Sequence, residues 1–301
     1  MATARDRDLG ITPHTALGAA GPARPRHATV WRRLGRSWQV RIGGAIVAVL
    51  LLTAATAPFL AVADPTQPNI LARFSGPSPA HPFGTDHLGR DIFSQVVYGS
   101  RISLSIGLIS VGIAATFGIA LGLLAGFYRR LDNPIMRLID VLLAFPGLLL
   151  AIAIVGALGP SLQNAMIAVG IATIPGFVRI VRSAVLRVGA NEYVEAARAV
   201  GVGDARILIR YVLPNVSSEI IVTATLGMAS AILFAAALSF LGLGAQPPTP
   251  EWGAMVLAAR SYLDIAPHQV FFPIAAIFVT ILGFNFLGDG LRDALDPRLY
   301  R

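Results

Sequence analysis

Apolar residues gather into six long runs, at 40–62, 102–128, 135–158, 162–180, 220–243 and 270–287. At a rise of about 1.5 Å per residue, each is long enough to cross roughly 30 Å of hydrocarbon as a helix, with 162–180 near the short end. In hydrocarbon every backbone N–H and C=O needs an internal partner, so helix is expected for each run; the alternating pattern of a membrane barrel is absent. The pattern predicts an all-α membrane protein with six transmembrane helices. Residues 1–38, rich in Arg, Pro, Ala and Thr, carry no apolar period and read as a disordered tail. Because the first apolar run starts only near Val40, the N-terminus does not read as a cleavable signal peptide.

Composition agrees and removes several chemistries. Apolar residues make up 55% and charged residues 13%, against roughly 25% charged in soluble domains. There is no cysteine, so disulfides, thiolate metal sites and cysteine nucleophiles are excluded. There is no lysine either: all 24 basic residues are arginine. That excludes a P-loop lysine and a Schiff-base lysine within this chain. If ATP drives this protein, another chain binds it.

The net charge of +8 is read by position and not as a nucleic-acid signal. With a cytoplasmic N-terminus, the inside holds the arginines through Arg41, then Arg129, Arg130 and Arg137, six from Arg179 to Arg210, and three from Arg292 onward. The outside holds only Arg73, Arg90, Arg101 and Arg260. This asymmetry predicts both termini inside, a cytoplasmic 191–215 segment, and outward loops at 63–101 and 244–269. The expected organisation is a tail (1–38), a first transmembrane helix (39–62), an extracytoplasmic loop (63–101), a core (102–290) and a cytoplasmic end (291–301). Pro58, Pro146, Pro175 and Pro273 interrupt the apolar runs, and Gly107, Gly112, Gly118 and Gly122 stud the second. Close helix packing with tolerated kinks and helices that rock during transport both account for them.

The segment 191–215 is a charged, helix-prone island between two apolar runs. Asn191 is a natural cap for a first short helix, with Glu192 and Glu195 in its first turn, where the helix dipole favours negative charge. Tyr193, Ala197 and Val200 are spaced to share a face, and Ala196 and Ala197 keep the surface low for a close-approaching backbone. Gly201 and Gly203 break the helix; Asp204 is placed to cap a second, which carries Ile207, Leu208 and Tyr211 and ends at Leu213-Pro214. Such a hairpin suits either a soluble docking partner or an interfacial helix resting on lipid headgroups.

Glu195-Ala196-Ala197, then Gly201 after three residues, then Leu213-Pro214 resembles the EAA loop of ABC-importer permeases, with Tyr211 where that pattern has Ile. A second set of residues resembles the dipeptide, oligopeptide and nickel importer permeases, and within them the C-type partner of the pair. It comprises His81-Pro82-Phe83-Gly84-Thr85-Asp86, Leu88-Gly89-Arg90-Asp91 and Tyr98-Gly99-Ser100-Arg101. The stretches 238–244, 247–253 and 285–297 agree, so the resemblance reaches from about residue 40 to the end. It implies a type I importer permease with one peripheral N-terminal helix and a five-helix core in the bacterial inner membrane. It also implies a heterodimer with a homologous B-type permease, two cytoplasmic ATPases that bind ATP and Mg, and an extracytoplasmic solute-binding protein. The island would couple ATPase closure to the membrane helices, and this chain would hold no cofactor and perform no catalysis. A nickel-chelate importer is the alternative cargo within the family.

His81, Asp86, His87 and Asp91 are donors that suit a divalent metal. The family segment recurs irrespective of substrate, which implies a structural element, with Asp86, Arg90, Asp91 and Arg101 pairing locally and Gly84, Thr85 and Gly89 setting turns. Asp140, Arg179 and Arg182 lie near the membrane interface and read as snorkelling or helix-end groups. Thr116, Ser230 and Asn285 are expected to give a translocation pathway modest polarity, or to make helix–helix hydrogen bonds of about 0.6 kcal/mol. An ion-coupled secondary transporter would need midplane carboxylates, which the chain lacks. A membrane enzyme would need converging His, Asp, Glu or Ser at one interface, and no such grouping has supporting context.

Overall fold

The computed structural model describes Leu34 and residues 36–295. Most of the expected 1–38 tail and the last part of the 291–301 end therefore lie outside the described residues. Among those described, the regular elements are helical, apart from an isolated bridge between Thr85 and Asp91. In chain order they are α1 (Trp38–Leu60), α2 (Ile92–Phe127), α3 (Arg129–Leu143), α4 (Gly147–Leu158) and α5 (Leu162–Gly189). There follow α6 (Glu192–Ala199), α7 (Asp204–Ile207), α8 (Leu213–Phe240), α9 (Trp252–Ala259) and α10 (His268–Leu295).

Five of the expected spans stand as long apolar helices: α1, α2, α5, the continuous path Asp204–Phe240, and α10. The third does not. Its run is split between α3 and α4, bent by 87°, and the count reaches six only if this pair makes one span. Pro146 explains the break: it has no N–H to donate and disfavours helical backbone at Phe145. The two halves also differ in character. α3 carries Arg129, Arg130, Asp132, Arg137 and Asp140 beside its apolar residues, whereas α4 is wholly apolar. With 12 residues, α4 reaches only about 18 Å.

The helices also outrun their apolar stretches. α2 starts at Ile92, ahead of the run at 102, because Asp91 caps it, accepting from the Ser94 N–H at 2.7 Å. α5 continues through Gly189 and α10 through Leu295.

α5 is the centre of the bundle, with half of its apolar window buried, whereas α1 buries 17% and lies at the periphery. The tightest seam joins α2 to α5. Gly118, Gly122 and Gly126, one turn apart, face Phe177, Val181 and Val185, likewise one turn apart. A Cβ on Gly122 would stand 2.7 Å from the Val181 Cβ, and one on Gly126 2.7 Å from the Val185 Cβ. This is small-residue packing, in which van der Waals contact takes the place of a hydrophobic drive. Gly107 meets Ile232 and Met228 of α8, while Gly112 faces open space. Around the seam Ile106, Val111, Val169, Phe177 and Leu238 form the main core.

Candidate functional site

The 191–215 island sits at the end of the bundle where α2 and α5 finish and α8 begins. Its inner face belongs to the protein core: Val194, Ile207, Val212 and Val216 are fully buried and pack with Val181, Ala184 and Val185 of α5. The buried stripe of α6 is thus Val194 with Ala197, not Tyr193, Ala197 and Val200. Tyr193 is 43% and Val200 79% exposed. Glu192, Glu195 and Ala196 are exposed as well, so α6 presents a carboxylate-rich outer surface with low and apolar points.

Capping also departs from expectation. Asn191 occupies the position before α6, but its side chain turns back and donates to the Val188 carbonyl at 3.0 Å, closing α5. Gly201, with φ +81°, ends α6 in a Schellman arrangement. Its N–H donates to Arg198, and the Val202 N–H donates to Ala197, both at 3.0 Å. The cap of α7 is Gly203, and Asp204 stands in the first turn instead.

Nor does the second helix end at Leu213-Pro214. Residues Leu208–Val212 form a π-helical turn that leads straight into α8, with the Leu213 N–H reaching back to the Leu208 carbonyl. Proline lacks the N–H for an ordinary helical bond and crowds the carbonyl four residues back; widening the turn relieves both. Asn215 Nδ2 donates to the Tyr211 carbonyl at 2.6 Å beside it. One further tie holds the island to the bundle, Arg198 over the Phe127 ring at 5.2 Å, and beside it Arg187 of α5 pairs with Glu219 of α8 at 2.8 Å.

Charges near this end pair with one another. Arg182 of α5 grips Asp132 of α3 at 2.5 and 2.6 Å, and Arg179 pairs with Asp140 at 2.6 Å. Asp140, Arg179 and Arg182 therefore tie α3 to α5 and are not free snorkelling groups.

The signature segment lies at the opposite end, folded against the starts of α2 and α10. Thr85 is fully buried; its hydroxyl donates to the Ala72 carbonyl and accepts from the Ser75 N–H. Asp86 is saturated: Oδ1 accepts the N–H groups of Leu88 and Arg90, and Oδ2 accepts Arg90 Nε at 2.7 Å and Gln95 Nε2 at 3.1 Å. Asp91 caps α2 with one oxygen and meets His81 Nδ1 at 3.0 Å with the other. Gly89, at φ +77°, passes so close to the Asn69 carbonyl that no side chain fits. His87 stacks on Tyr262, and burial lowers its pKa, favouring the neutral ring. Asp86 and Asp91 are thus spent on backbone and local side-chain bonds, His81 on Asp91, and His87 on its stacking contact, with its Nδ1 buried without a hydrogen-bond partner; no three such donors gather among the described residues. Arg101 is the exception to local pairing: it is exposed and has no carboxylate partner among the described residues.

One buried acid at this end was not singled out from the sequence. Glu251, 1% exposed, caps α9, accepting from Gly253 N at 3.0 Å and Ala254 N at 2.9 Å. Burial raises its pKa, against the amides and the Ser239 and Ser103 hydroxyls that lower it. Trp252 Nε1 donates to the Val96 carbonyl at 3.0 Å and lies over Gly99, locking α9 to α2. An acid just before an apolar helical run is a cap signal, and it was available at Glu251-Trp252.

Thr116, Ser230 and Asn285 sit on α2, α8 and α10. Thr116 and Ser230 are exposed and Asn285 is half-buried. The Thr116 hydroxyl donates within its own helix to the Gly112 carbonyl at 2.8 Å. No hydrogen bond joins any two of the three.

Residues 118–301 match the family model described as "Binding-protein-dependent transport system inner membrane component". The chain belongs to that family. It is 49% identical over 270 residues to the dipeptide transport system permease protein DppC of Alkalihalophilus pseudofirmus, covering 89% of each chain. It is also 49% identical over 271 residues to the glutathione transport system permease protein GsiD of Pectobacterium atrosepticum, covering 89% of this chain and 90% of the relative. In fold it is similar to an inward-facing form of the MetNI methionine ABC transporter, with TM-score 0.58 and 18% identity. That match covers 68% of this chain and 98% of the other. The chain is therefore an inner-membrane permease subunit of an ABC importer, a transport component and not an enzyme, with ATP hydrolysis on a separate chain. The family works with an ATPase, a solute-binding protein and a permease partner. Family membership sets aside the ion-coupled secondary transporter.

Proposed function

We propose that this permease forms half of the translocation pathway of a peptide importer, paired with a homologous B-type permease, and that the 191–215 island is where one of two ATPases docks. The cargo class rests on its similarity to a dipeptide and a glutathione permease. In this reading both termini and the island are cytoplasmic, as the arginine asymmetry predicts, and the ATPases alone hold ATP and Mg.

The observation that carries the docking assignment is the two-sided build of α6. Val194 and Ala197 fix it to α5, while Tyr193, Glu195, Ala196 and Val200 stay exposed. A surface anchored on one side and free on the other passes a push inward. Gly201, Asp204, Leu213 and Pro214 shape the path from α6 into α8, so movement of the island is movement of α8. A partner shifts the permease only as far as it prefers one state over the other, so many modest contacts suffice. Thr116, Ser230 and Asn285 are assigned to the pathway.

The test is Glu195→Arg in the reconstituted importer. Glu195 is exposed, so the variant should insert and fold, while uptake in vesicles is lost and ATP hydrolysis is uncoupled from it. Unchanged uptake rejects the island as the coupling surface.

A further inference from the structure

A cleft of about 690 Å³ opens at the signature-loop end, between the end of α1 with its following loop and the first turns of α2. Pro58, Ile102 and Pro250 give it apolar walls; Asp64, Tyr98 and Arg101 supply polar groups. That volume is in the ordinary range for a small-molecule site, and the walls are about evenly polar and apolar.

The charges in this cleft are unlike others nearby. Asp86, Arg90 and Asp91 are consumed by local partners, whereas Arg101 has no carboxylate within ion-pair distance among the described residues. Asp64 is held in place by the Thr66 N–H at 2.8 Å and hydroxyl at 2.7 Å, both on Oδ1. Those bonds lower its pKa, so it is ionised at neutral pH. A cation and an anion thus line one cleft without pairing. The cleft also opens onto a continuous track. Arg101, Ser105, Leu108, Gly112 and Thr116 recur at helical spacing along one face of α2; all are exposed except the partly exposed Ser105. Gly112 has nothing near it.

Building on the peptide-importer reading, we propose that this cleft is the receiving subsite for a zwitterionic peptide, with Arg101 taking the free carboxylate and Asp64 the free ammonium. A planar guanidinium offers paired donors to a carboxylate, and an ionised carboxylate is the matching acceptor for an ammonium. From the cleft the peptide meets the small and hydroxyl-bearing track of α2. A zwitterionic lipid headgroup has the same chemistry, so the test separates the two sources.

The complete importer, with its ATPases and solute-binding protein, is reconstituted into phosphatidylethanolamine–phosphatidylglycerol vesicles. Uptake of radiolabelled dialanine and glutathione is measured per ATP hydrolysed, for wild type, Arg101→Gln and Asp64→Asn. The expected result is a fall of about tenfold or more in this ratio for each variant, with little further loss in the double variant. Two results overturn the proposal: a ratio unchanged in both variants, or a wild-type loss of the same size when phosphatidylglycerol alone replaces the mixture. A wild-type importer that moves neither peptide rejects the function reading, and this subsite with it. Normal wild-type uptake with unaffected variants rejects the subsite alone.

Discussion

Arg182 of α5 meets Asp132 of α3 fork to fork, Nε to Oδ1 at 2.5 Å and Nη2 to Oδ2 at 2.6 Å, across 50 residues of sequence. The pair is about a quarter exposed on each side, dry enough that losing one partner leaves the other short of hydrogen bonds. Arg182→Ala should destabilise the permease by about 1.5–3 kcal/mol, seen as a lower melting temperature in detergent. Arg182→Lys keeps the charge but not the planar fork and should recover only part. A lysine variant equal to wild type would show that charge alone holds α3.

The glycine seam makes a paired prediction within one helix. Gly122→Leu must push Val181 and the α5 backbone aside and should cost about 1–3 kcal/mol or more through overpacking. Gly112→Leu enters open space and should change stability by no more than about 0.5 kcal/mol. Thermal unfolding of both variants in the same detergent gives the comparison; equal losses would refute the seam as the tight joint.

Glu251 makes stability depend on pH. Its folded pKa is raised above the ordinary 4.5, so the folded state holds a proton that the unfolded state has released. Stability therefore falls as pH rises from about 4.5 through the raised value, then levels off once both states are ionised. Glu251→Gln removes the titration, though it loses one of two cap acceptors. The variant should show a flatter stability profile above pH 4.5, where the wild type loses stability, whatever its absolute stability. A slope identical to wild type would place the pH dependence elsewhere.

The helical membrane class, five of six apolar spans, the island and the signature segment were all legible in the sequence, because each is written in local composition or spacing. What was missed depends on partners or on averaging. An apolar run scored over 135–158 hides the amphipathic α3 that precedes Pro146, so a bent pair reads as one span. Pro214 reads as a stop, yet the chain widens by a π-turn and continues, which only the balance of backbone hydrogen bonds reveals. The helical spacing of Tyr193, Ala197 and Val200 was visible, but which side of so short a helix meets the core was decided by Val185 and Ile207. Asp132 and Asp140 were visible as charges; their arginines lie 50 and 39 residues away. Glu251 is legible as a cap, but its burial is not: Gly99, distant in sequence, and Gly253 give the close packing that covers it.

The three glycine layers between α2 and α5 also constrain how this permease changes shape. A knob seated against backbone cannot slide by a fraction of a turn; it must hop a whole layer of four residues, about 6 Å. Short of that, α2 and α5 turn as one plank. Any hinge in this permease must then fall outside this pair, at looser joints such as the π-turn before Pro214 and the elbow at Pro146.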